Sequence, residues 1–217
     1  MAKKRISDVL IEVLANAGIE RIYGITGDSL NSVNDSLRRN GKIAFEHVRH
    51  EETAAFAAGA EASLTHKLTV CAGSSGPGNL HLINGLFDCH RNRVPVLAIA
   101  SHIPQSEVGL NYFQETHPEN LFKECSCFCE LVSNPKQMPE ILFRAMNAAV
   151  GNQDVAVIVL PGDVAVMEME IDELPVWNPP RLPHIVPQRE DIEEMAAHLE
   201  TGKRITLFCG AGCEGAH

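Results

Sequence analysis

Short apolar runs alternate along the chain with longer amphipathic segments. The apolar runs predict strands at residues 21–25, 43–48, 68–72, 94–100, 128–132 and 155–160. Between them, apolar residues recur at helical spacing and predict helices at 6–14, 28–39, 51–62, 78–91 and 139–151. Several strands are apolar on both faces, which is typical of a sheet covered on both sides. The pattern therefore predicts an α/β fold, a doubly wound and mainly parallel sheet of about six strands with helices on both faces.

The pattern changes after residue 163. Residues 164–189 are acidic and contain five prolines, which disfavour regular structure and predict a linker. An amphipathic helix at 191–199 follows, then an apolar run at 204–209 that predicts a buried strand, and the chain then enters a glycine turn. We therefore predict three parts: a complete domain at 1–163, a linker at 164–189, and at 190–217 the truncated start of a second α/β domain.

Composition and charge narrow the possible functions. The 217 residues are 45% hydrophobic and 21% charged, with a net charge of −10, which argues against a nucleic-acid binder. The longest apolar run, Val94–Ala100, is far shorter than the ~20 residues of a membrane span. Polar residues near the start break any signal-peptide core. We therefore expect a cytoplasmic protein without a membrane segment.

Three loops that follow predicted strands are candidates for a ligand site: residues 24–28, 50–51 and 76–79. In open α/β sheets, ligands lie at the carboxyl ends of the strands, so we expect these loops to converge on one crevice. Backbone amides of the first loop could bind an anion, although the loop lacks the three-glycine dinucleotide spacing and a plain turn explains it equally well. The chain contains neither a P-loop nor a Gly-x-Ser-x-Gly nucleophile elbow.

Glu51 opens a predicted helix whose next residues, Ala54–Ala60, are very small apart from Phe56. The helix dipole alone explains one glutamate at this position. The alanine and glycine face also permits close helix pairing at a subunit interface. A carboxylate beside such an interface would be partly desolvated, which suits it to proton transfer.

The remaining candidates for a functional role are the histidines and two loop residues, Phe113 and Gln114. The histidines lack metal-ligand spacing, and no Cys-x-x-Cys pair occurs, so we predict no metal site. Phe113 and Gln114 follow Gly109 in a predicted loop, where the aromatic ring could be a hydrophobic plug or a wall facing a substrate.

Taken together, these motifs resemble the N-terminal pyrimidine-binding domain of thiamine diphosphate enzymes, over essentially the whole chain. Among those enzymes the chain is most similar to the pyruvate oxidases, the quinone-dependent pyruvate dehydrogenases. The resemblance rests on these segments, in this order: Tyr23-Gly-Ile-Thr-Gly-Asp, Arg49-His-Glu-Glu-Thr-Ala-Ala-Phe-Ala-Ala-Gly-Ala, Gly76-Pro-Gly-Asn-Leu-His-Leu-Ile-Asn-Gly-Leu-Phe-Asp-Cys-His-Arg-Asn, Pro95-Val-Leu-Ala-Ile-Ala and Phe113-Gln-Glu.

The resemblance implies a role for each matching residue. Glu51 would bond the ring nitrogen of the cofactor's aminopyrimidine, with Glu52 as its non-catalytic neighbour. Phe113 and Gln114 would face the thiazolium ring, the substrate and the flavin. The remaining implied cofactor contacts are Thr26, Gly27 and Asp28 in the first loop, Pro77 and Asn79 beside the pyrimidine, and Gly210 and Gly212 at the start of a flavin-binding domain.

The chain also departs from the family pattern. The Gly-Asp-Gly motif with a downstream Asn, which would bind the diphosphate through Mg²⁺, is absent. We therefore expect a fragment that is inactive alone and binds cofactor weakly. It would derive from an enzyme that uses thiamine diphosphate, Mg²⁺ and FAD to convert pyruvate to acetate, with quinone as acceptor.

Several further expectations remain open at this stage. The parent would pair with itself through the Ala54–Ala60 helix face and could associate with the inner face of the membrane. One alternative keeps the fold but changes the chemistry to carboligation of the acetolactate synthase kind. The other is a non-catalytic dimerisation module that binds no cofactor.

Overall fold

The computed structural model describes residues 2–183 and 185–213. These residues form two compact units, of which the first ends at Pro180 and the second begins at Arg181. The first unit contains eight strands: β1 Ala2–Arg5, β2 Arg21–Gly24, β3 Ala44–His47, β4 Thr69–Gly73, β5 Val96–His102, β6 Phe128–Leu131, β7 Val155–Pro161 and β8 Glu168–Ile171.

Helices connect the strands. Seven lie in the first unit: α1 Ile6–Asn16, α2 Asn31–Asn40, α3 Glu51–Thr65, α4 Pro77–Arg91, α5 Pro118–Leu121, α6 Met138–Asn152 and α7 Gly162–Val166. The sequence shows why several of them start or stop where they do. Pro77 is in the first turn of α4, where its missing N–H costs nothing, and Gly41 ends α2 with φ of +69°.

The main sheet has six parallel strands in the order β3-β2-β4-β5-β7-β6. Every residue of β4, β5 and β7 is buried, whereas β3 and β6 lie at the edges and are partly exposed. This explains why the central strands are mostly apolar and the edge strands are not. The predicted six-stranded α/β fold is confirmed.

Two hydrophobic clusters cover the two faces of this sheet. Along β5, Leu97 and Ile99 pack in one cluster with side chains of α1, α2 and α6, while Val96 and Ala98 pack in the other with side chains of α3 and α4. The alternation follows directly from the two-residue period of a strand. Helices therefore lie on both faces, as the pattern predicts.

A second, antiparallel sheet joins the start of the chain to the segment predicted as linker. β1 pairs with β8 over four residues, and Ile6 N–H donates to Met167 O at 2.9 Å. Further on, Trp177 is buried, and its Nε1 donates to Asn147 Oδ1 at 2.9 Å. The prediction that 164–189 excludes regular structure is therefore wrong at its beginning, because β1 supplies hydrogen-bond partners that local sequence does not reveal.

The second unit contains the predicted amphipathic helix, here α8, Arg189–Thr201. The strand predicted at 204–209 is absent from the described residues; the segment is irregular, and its Phe208 is fully exposed. A strand requires a neighbour for its backbone hydrogen bonds, and the described part of this unit offers none. A 3₁₀ turn covers Ala211–Cys213. Residues 214–217 of the predicted second domain lie outside the described residues.

Candidate functional site

The three candidate loops follow three neighbouring strands. His50 lies after β3, Gly27 after β2 and Gly76 after β4, and these strands are adjacent in the order β3-β2-β4. Because the strands are parallel, their carboxyl ends share one edge of the sheet. The predicted convergence of the loops is therefore confirmed by the topology.

Glu51 is the first residue of α3 and is only 8% exposed. Its Oε2 lies 3.1 Å from Nδ1 of His81 on α4. Its Oε1 lies 3.3 Å from the position that a Cβ on Gly78 would occupy, so Gly78 provides the room for this carboxylate. His50 caps the helix by accepting the N–H of Glu52 at 3.3 Å. A buried carboxylate thus lies between the N-terminal turns of two helices.

Helices α3 and α4 can approach so closely because small residues face each other. A Cβ on Gly85 would lie 2.6 Å from Ala55 Cβ and 2.7 Å from Glu52 O, and a Cβ on Gly59 would lie 2.6 Å from Cys89 Sγ. Subunit pairing through the Ala54–Ala60 face stays a prediction, and it would use the exposed Phe56 and Ala60 of that face. The small buried residues of the face pack against α4 of the same chain, because only small residues allow that close helix contact.

A serine network fixes the first loop against the third. Ser29 Oγ lies 2.9 Å from Ser74 Oγ and accepts the N–H of Ser75 at 3.0 Å. A Cβ on Gly27 would lie 2.3 Å from Ser74 Oγ, so only glycine fits there. Asp28, the neighbouring residue, is exposed and accepts the N–H of Ser29 at 2.8 Å. The predicted residues Gly27 and Asp28 are therefore held at the crevice.

The loop that carries Phe113 and Gln114 also reaches this edge. Ser75 Oγ donates to Gln114 Oε1 at 3.2 Å, and a Cβ on Gly76 would lie 3.1 Å from Gln114 Cβ. Gly76 has φ of +66°, a conformation that strongly favours glycine. Phe113 is 97% exposed, so its ring projects from the loop without packing against the described part of the chain.

A cavity of about 210 Å³ opens between the first loop, the third loop and the loop that carries Gln114. Among the residues that line it are Asp28, Ser29, Ser75, His102, Tyr112 and Gln114. The buried His102 Nδ1 has no hydrogen-bond partner. The cavity brings two predicted site residues together, Asp28 and Gln114. Thr26 instead lines a shallower depression beside Leu37 and Phe45, and Pro77 is exposed at the start of α4.

The sequence of this region matches a known family. Residues 4–121, more than half of the chain, match the model of the thiamine pyrophosphate enzyme N-terminal TPP binding domain. The chain belongs to the thiamine pyrophosphate enzyme family. All four loops described above and both helices that enclose Glu51 fall within the matched residues.

Relatives within and around this family differ in their named activities. An "uncharacterized 42.6 kDa protein in isoamylase 3′region" of Pseudomonas amyloderamosa is 58% identical over 100% of the chain and 55% of its own length. Pyruvate oxidase of Lactiplantibacillus plantarum is 32% identical over 95% of the chain and 35% of its own length. Acetolactate synthase 2 of Zea mays is 29% identical over 95% of the chain and 33% of its own length. The chain thus spans about half or less of these relatives.

The aminopyrimidine of thiamine pyrophosphate fits the residues present. Among the described residues, the Glu51 carboxylate has one hydrogen-bond partner, His81, which bonds Oε2. The other oxygen, Oε1, has none. Asn79 is fully buried; its Nδ2 donates to Ser101 O at 2.7 Å, and its Oδ1 has no partner. A buried acceptor without a partner, such as Asn79 Oδ1, is rare and suits a ligand that donates a hydrogen bond. The described residues show no oxygen-rich group suited to Mg²⁺.

Two residues of this candidate site could not be identified from sequence motifs. His81 and Ser74 carry no motif of their own, and only the fold brings them to Glu51 and Ser29. His81 lies within the segment beginning at Gly76 that carries the resemblance and, three residues after Gly78 on a predicted helix, shares its face.

None of the helices within residues 2–183 and 185–213 is both long and apolar enough to cross a membrane.

The pH dependence of stability should reveal the buried His102. Burial lowers the pKa of this imidazole. Below about pH 6.5, the usual pKa of histidine, the unfolded chain therefore binds a proton at His102 more readily than the folded chain does. The free energy of unfolding should therefore fall as pH drops from 7 to 5. In His102→Gln the free energy of unfolding should fall less steeply with decreasing pH. The two slopes should differ by at most about 1.4 kcal/mol per pH unit, the contribution of one proton. Urea unfolding at several pH values measures both slopes, and parallel curves would contradict the assignment.

Proposed function

We propose that this chain forms the pyrimidine-binding part of an enzyme that oxidatively decarboxylates pyruvate and passes the electrons to a quinone. The observation that carries the proposal is the buried Glu51 carboxylate, bonded to His81 through Oε2 and open at Oε1 beside Gly78. The named activity of the pyruvate oxidase relative supports the choice of reaction.

The proposed reaction balances without further reactants. Pyruvate, water and quinone give acetate, carbon dioxide and quinol; the carbon–carbon bond to the carboxylate breaks, and two electrons and two protons reach the quinone. Bound thiamine diphosphate would supply the carbon nucleophile for this step, and FAD the redox relay.

Glu51 would perform the proton chemistry contributed by this chain. Its Oε1 would accept a hydrogen bond from the protonated ring nitrogen of the aminopyrimidine, while His81 holds Oε2. Burial keeps water from competing for the carboxylate. Asn79, with its free Oδ1, and Pro77 would position the ring, and Thr26, Gly27 and Asp28 would border it.

Phe113 and Gln114 would form the side of the site that meets the substrate. Ser75 fixes the Gln114 amide through its Oε1, which leaves the amide N–H groups available to a 2-oxo acid. Gly210 and Gly212, in the second unit, would begin the flavin-binding domain. Mg²⁺ and the diphosphate would require residues beyond those described. We expect the complete enzyme on the cytoplasmic side, where it could associate with the inner face of the membrane and reach its quinone.

Acetolactate synthesis is the second candidate, because acetolactate synthases are also similar over 95% of the chain. A carboligase needs the same carboxylate but joins two 2-oxo acids, with loss of one carbon dioxide and without net oxidation. The non-catalytic pairing module is the third candidate, although the buried small residues of Ala54–Ala60 pack within the chain and leave only the exposed ones for a partner.

Product analysis tests the proposal. We would express the longest reading frame that carries this chain and supply thiamine diphosphate, Mg²⁺, FAD, pyruvate and a soluble quinone analogue. We expect acetate, carbon dioxide and quinol in equal amounts, and no turnover by the 217-residue chain alone. Acetolactate without quinol would favour the carboligase, and turnover by the chain alone would contradict its inactivity.

A further inference from the structure

His50, Glu51 and His81 form a group that proton chemistry alone does not explain. One ligand atom from each lies within 4.8 Å of the other two, and no other group of three such residues occurs within the described chain. The two imidazole rings stack, with centroids 4.3 Å apart and an angle of 25° between their planes. Two imidazoles and one carboxylate are a common donor set for Zn²⁺ and neighbouring transition metals.

We propose that His50, Glu51 and His81 bind Zn²⁺, or a similar divalent transition metal, when the cofactor is absent. The metal would occupy the carboxylate that the proposed function assigns to the aminopyrimidine. Zinc and thiamine diphosphate would then exclude each other; this second part rests on the proposed function, whereas the metal site does not.

The distances suit zinc after small side-chain rotations. His81 Nδ1 and Glu51 Oε2 are 3.1 Å apart, and two ligands of a tetrahedral zinc ion with bonds of 2.0–2.2 Å lie about 3.3 Å apart. The side chains of His50 and His81 are 48% and 46% exposed, so a metal can enter from solvent and the rings can turn. Glu51 is fixed by burial and provides a rigid first ligand.

Some charges near this group of three residues oppose a bound cation, and others favour it. The N-terminus of α3 is the positive end of a helix dipole and opposes a cation, as does the neighbouring Arg49. Against this, Glu51 brings a full negative charge, and Glu52 Oε2 lies 3.9 Å from His50 Nδ1. A donor set with imidazole nitrogen favours zinc over Mg²⁺, which prefers oxygen ligands.

Cysteines are the main competitors for zinc. Burial raises the pKa of Cys89, Cys125 and Cys129 to about 12, so these thiols keep their protons at neutral pH and bind metal poorly. Cys209 and Cys213 are exposed, and replacing both by serine removes them from the measurement.

Calorimetric titration of the 217-residue chain with ZnCl₂, in the Cys209→Ser/Cys213→Ser background, tests the site. We expect one zinc ion per chain, and at least a tenfold weaker affinity in His81→Asn and in His50→Asn. Asn is itself a good N-cap, so the second variant preserves the start of α3. His198→Asn, which removes an exposed histidine from α8, is the matched control and should bind zinc unchanged.

Titration with Co²⁺ identifies the ligands directly. We expect absorption bands in the visible region without the near-ultraviolet charge-transfer band of a cobalt–thiolate bond. Unchanged affinity in both histidine variants, or a thiolate band, would overturn the metal site.

Adding thiamine diphosphate and Mg²⁺ to the longest reading frame that carries this chain separates the two proposals, with Mg²⁺ and inorganic pyrophosphate as the control for zinc that the diphosphate chelates in solution. Weaker zinc binding in the presence of cofactor supports both. Zinc binding that depends on the histidines but ignores the cofactor supports the metal site and counts against the proposed role of Glu51. Loss of the histidine dependence overturns the metal site whatever the cofactor does.

Discussion

Replacing Glu51 by Gln should reduce turnover by the complete enzyme about 10²–10⁴-fold, the usual contribution of a positioned acid or base. Glutamine has nearly the same shape and can still accept the hydrogen bond from His81. It cannot carry the negative charge that favours a proton on the aminopyrimidine ring. Steady-state rates with pyruvate and a quinone analogue, compared at saturating thiamine diphosphate, measure the effect.

The adjacent residue offers a matched control. Glu52 has the same chemistry one position later, but its side chain is 37% exposed and lies 3.9 Å from His50. Glu52→Gln should change the rate by less than about threefold, because surface ion pairs contribute little. Both variants should unfold within a few degrees of the unchanged chain. Equal losses in the two variants, or full activity of Glu51→Gln, would remove Glu51 from the proposed mechanism.

The sheet could be predicted from sequence because its central strands are buried on both faces. β7 is an unbroken apolar run of seven residues and β5 begins with five apolar residues, and such runs between amphipathic helices admit few other folds. The loops of the candidate site could be predicted for a related reason. In a parallel sheet, the loops after neighbouring strands meet at one edge, so the strand assignments also locate residues 24–28, 50–51 and 76–79.

The features that could not be predicted all depend on contacts between distant residues. β1 is the polar segment Ala-Lys-Lys-Arg, and it becomes a strand only because β8 pairs with it. The apolar run 204–209 has strand composition but no partner strand among the described residues, and it is irregular. Strand formation depends on tertiary context more strongly than helix formation does.

The partner of the Ala54–Ala60 face is a second example of this limit. Small residues indicate that something approaches the helix closely, but they do not identify the approaching element. Gly85 carries the complementary signal on α4, thirty residues beyond Ala55, and only the fold brings the two together. The same contact aligns the helix starts that carry Glu51 and His81.

Gly85→Ala should therefore destabilise the chain and disturb the site together. The added methyl group would lie 2.6 Å from Ala55 Cβ and 2.7 Å from Glu52 O, and neither atom is the end of a flexible side chain. The helices must separate, and overpacking of this kind costs about 1–3 kcal/mol. For a chain of this size the midpoint of thermal unfolding should fall by about 3–10 °C. Differential scanning calorimetry measures the shift, and the rate of the complete enzyme should fall as Glu51 leaves His81.

Gly151→Ala on α6 separates this steric effect from the general preference of helices for alanine. A Cβ on Gly151 would meet only Pro180 Cγ, at 4.0 Å, so the substitution is accommodated without movement. Alanine is favoured over glycine within helices by about 0.5–1 kcal/mol, so this variant should be as stable as the unchanged chain or slightly more so. If Gly85→Ala were stabilising to the same extent, α3 and α4 could not be packed at the distance described, and the enclosure of Glu51 between them would be wrong.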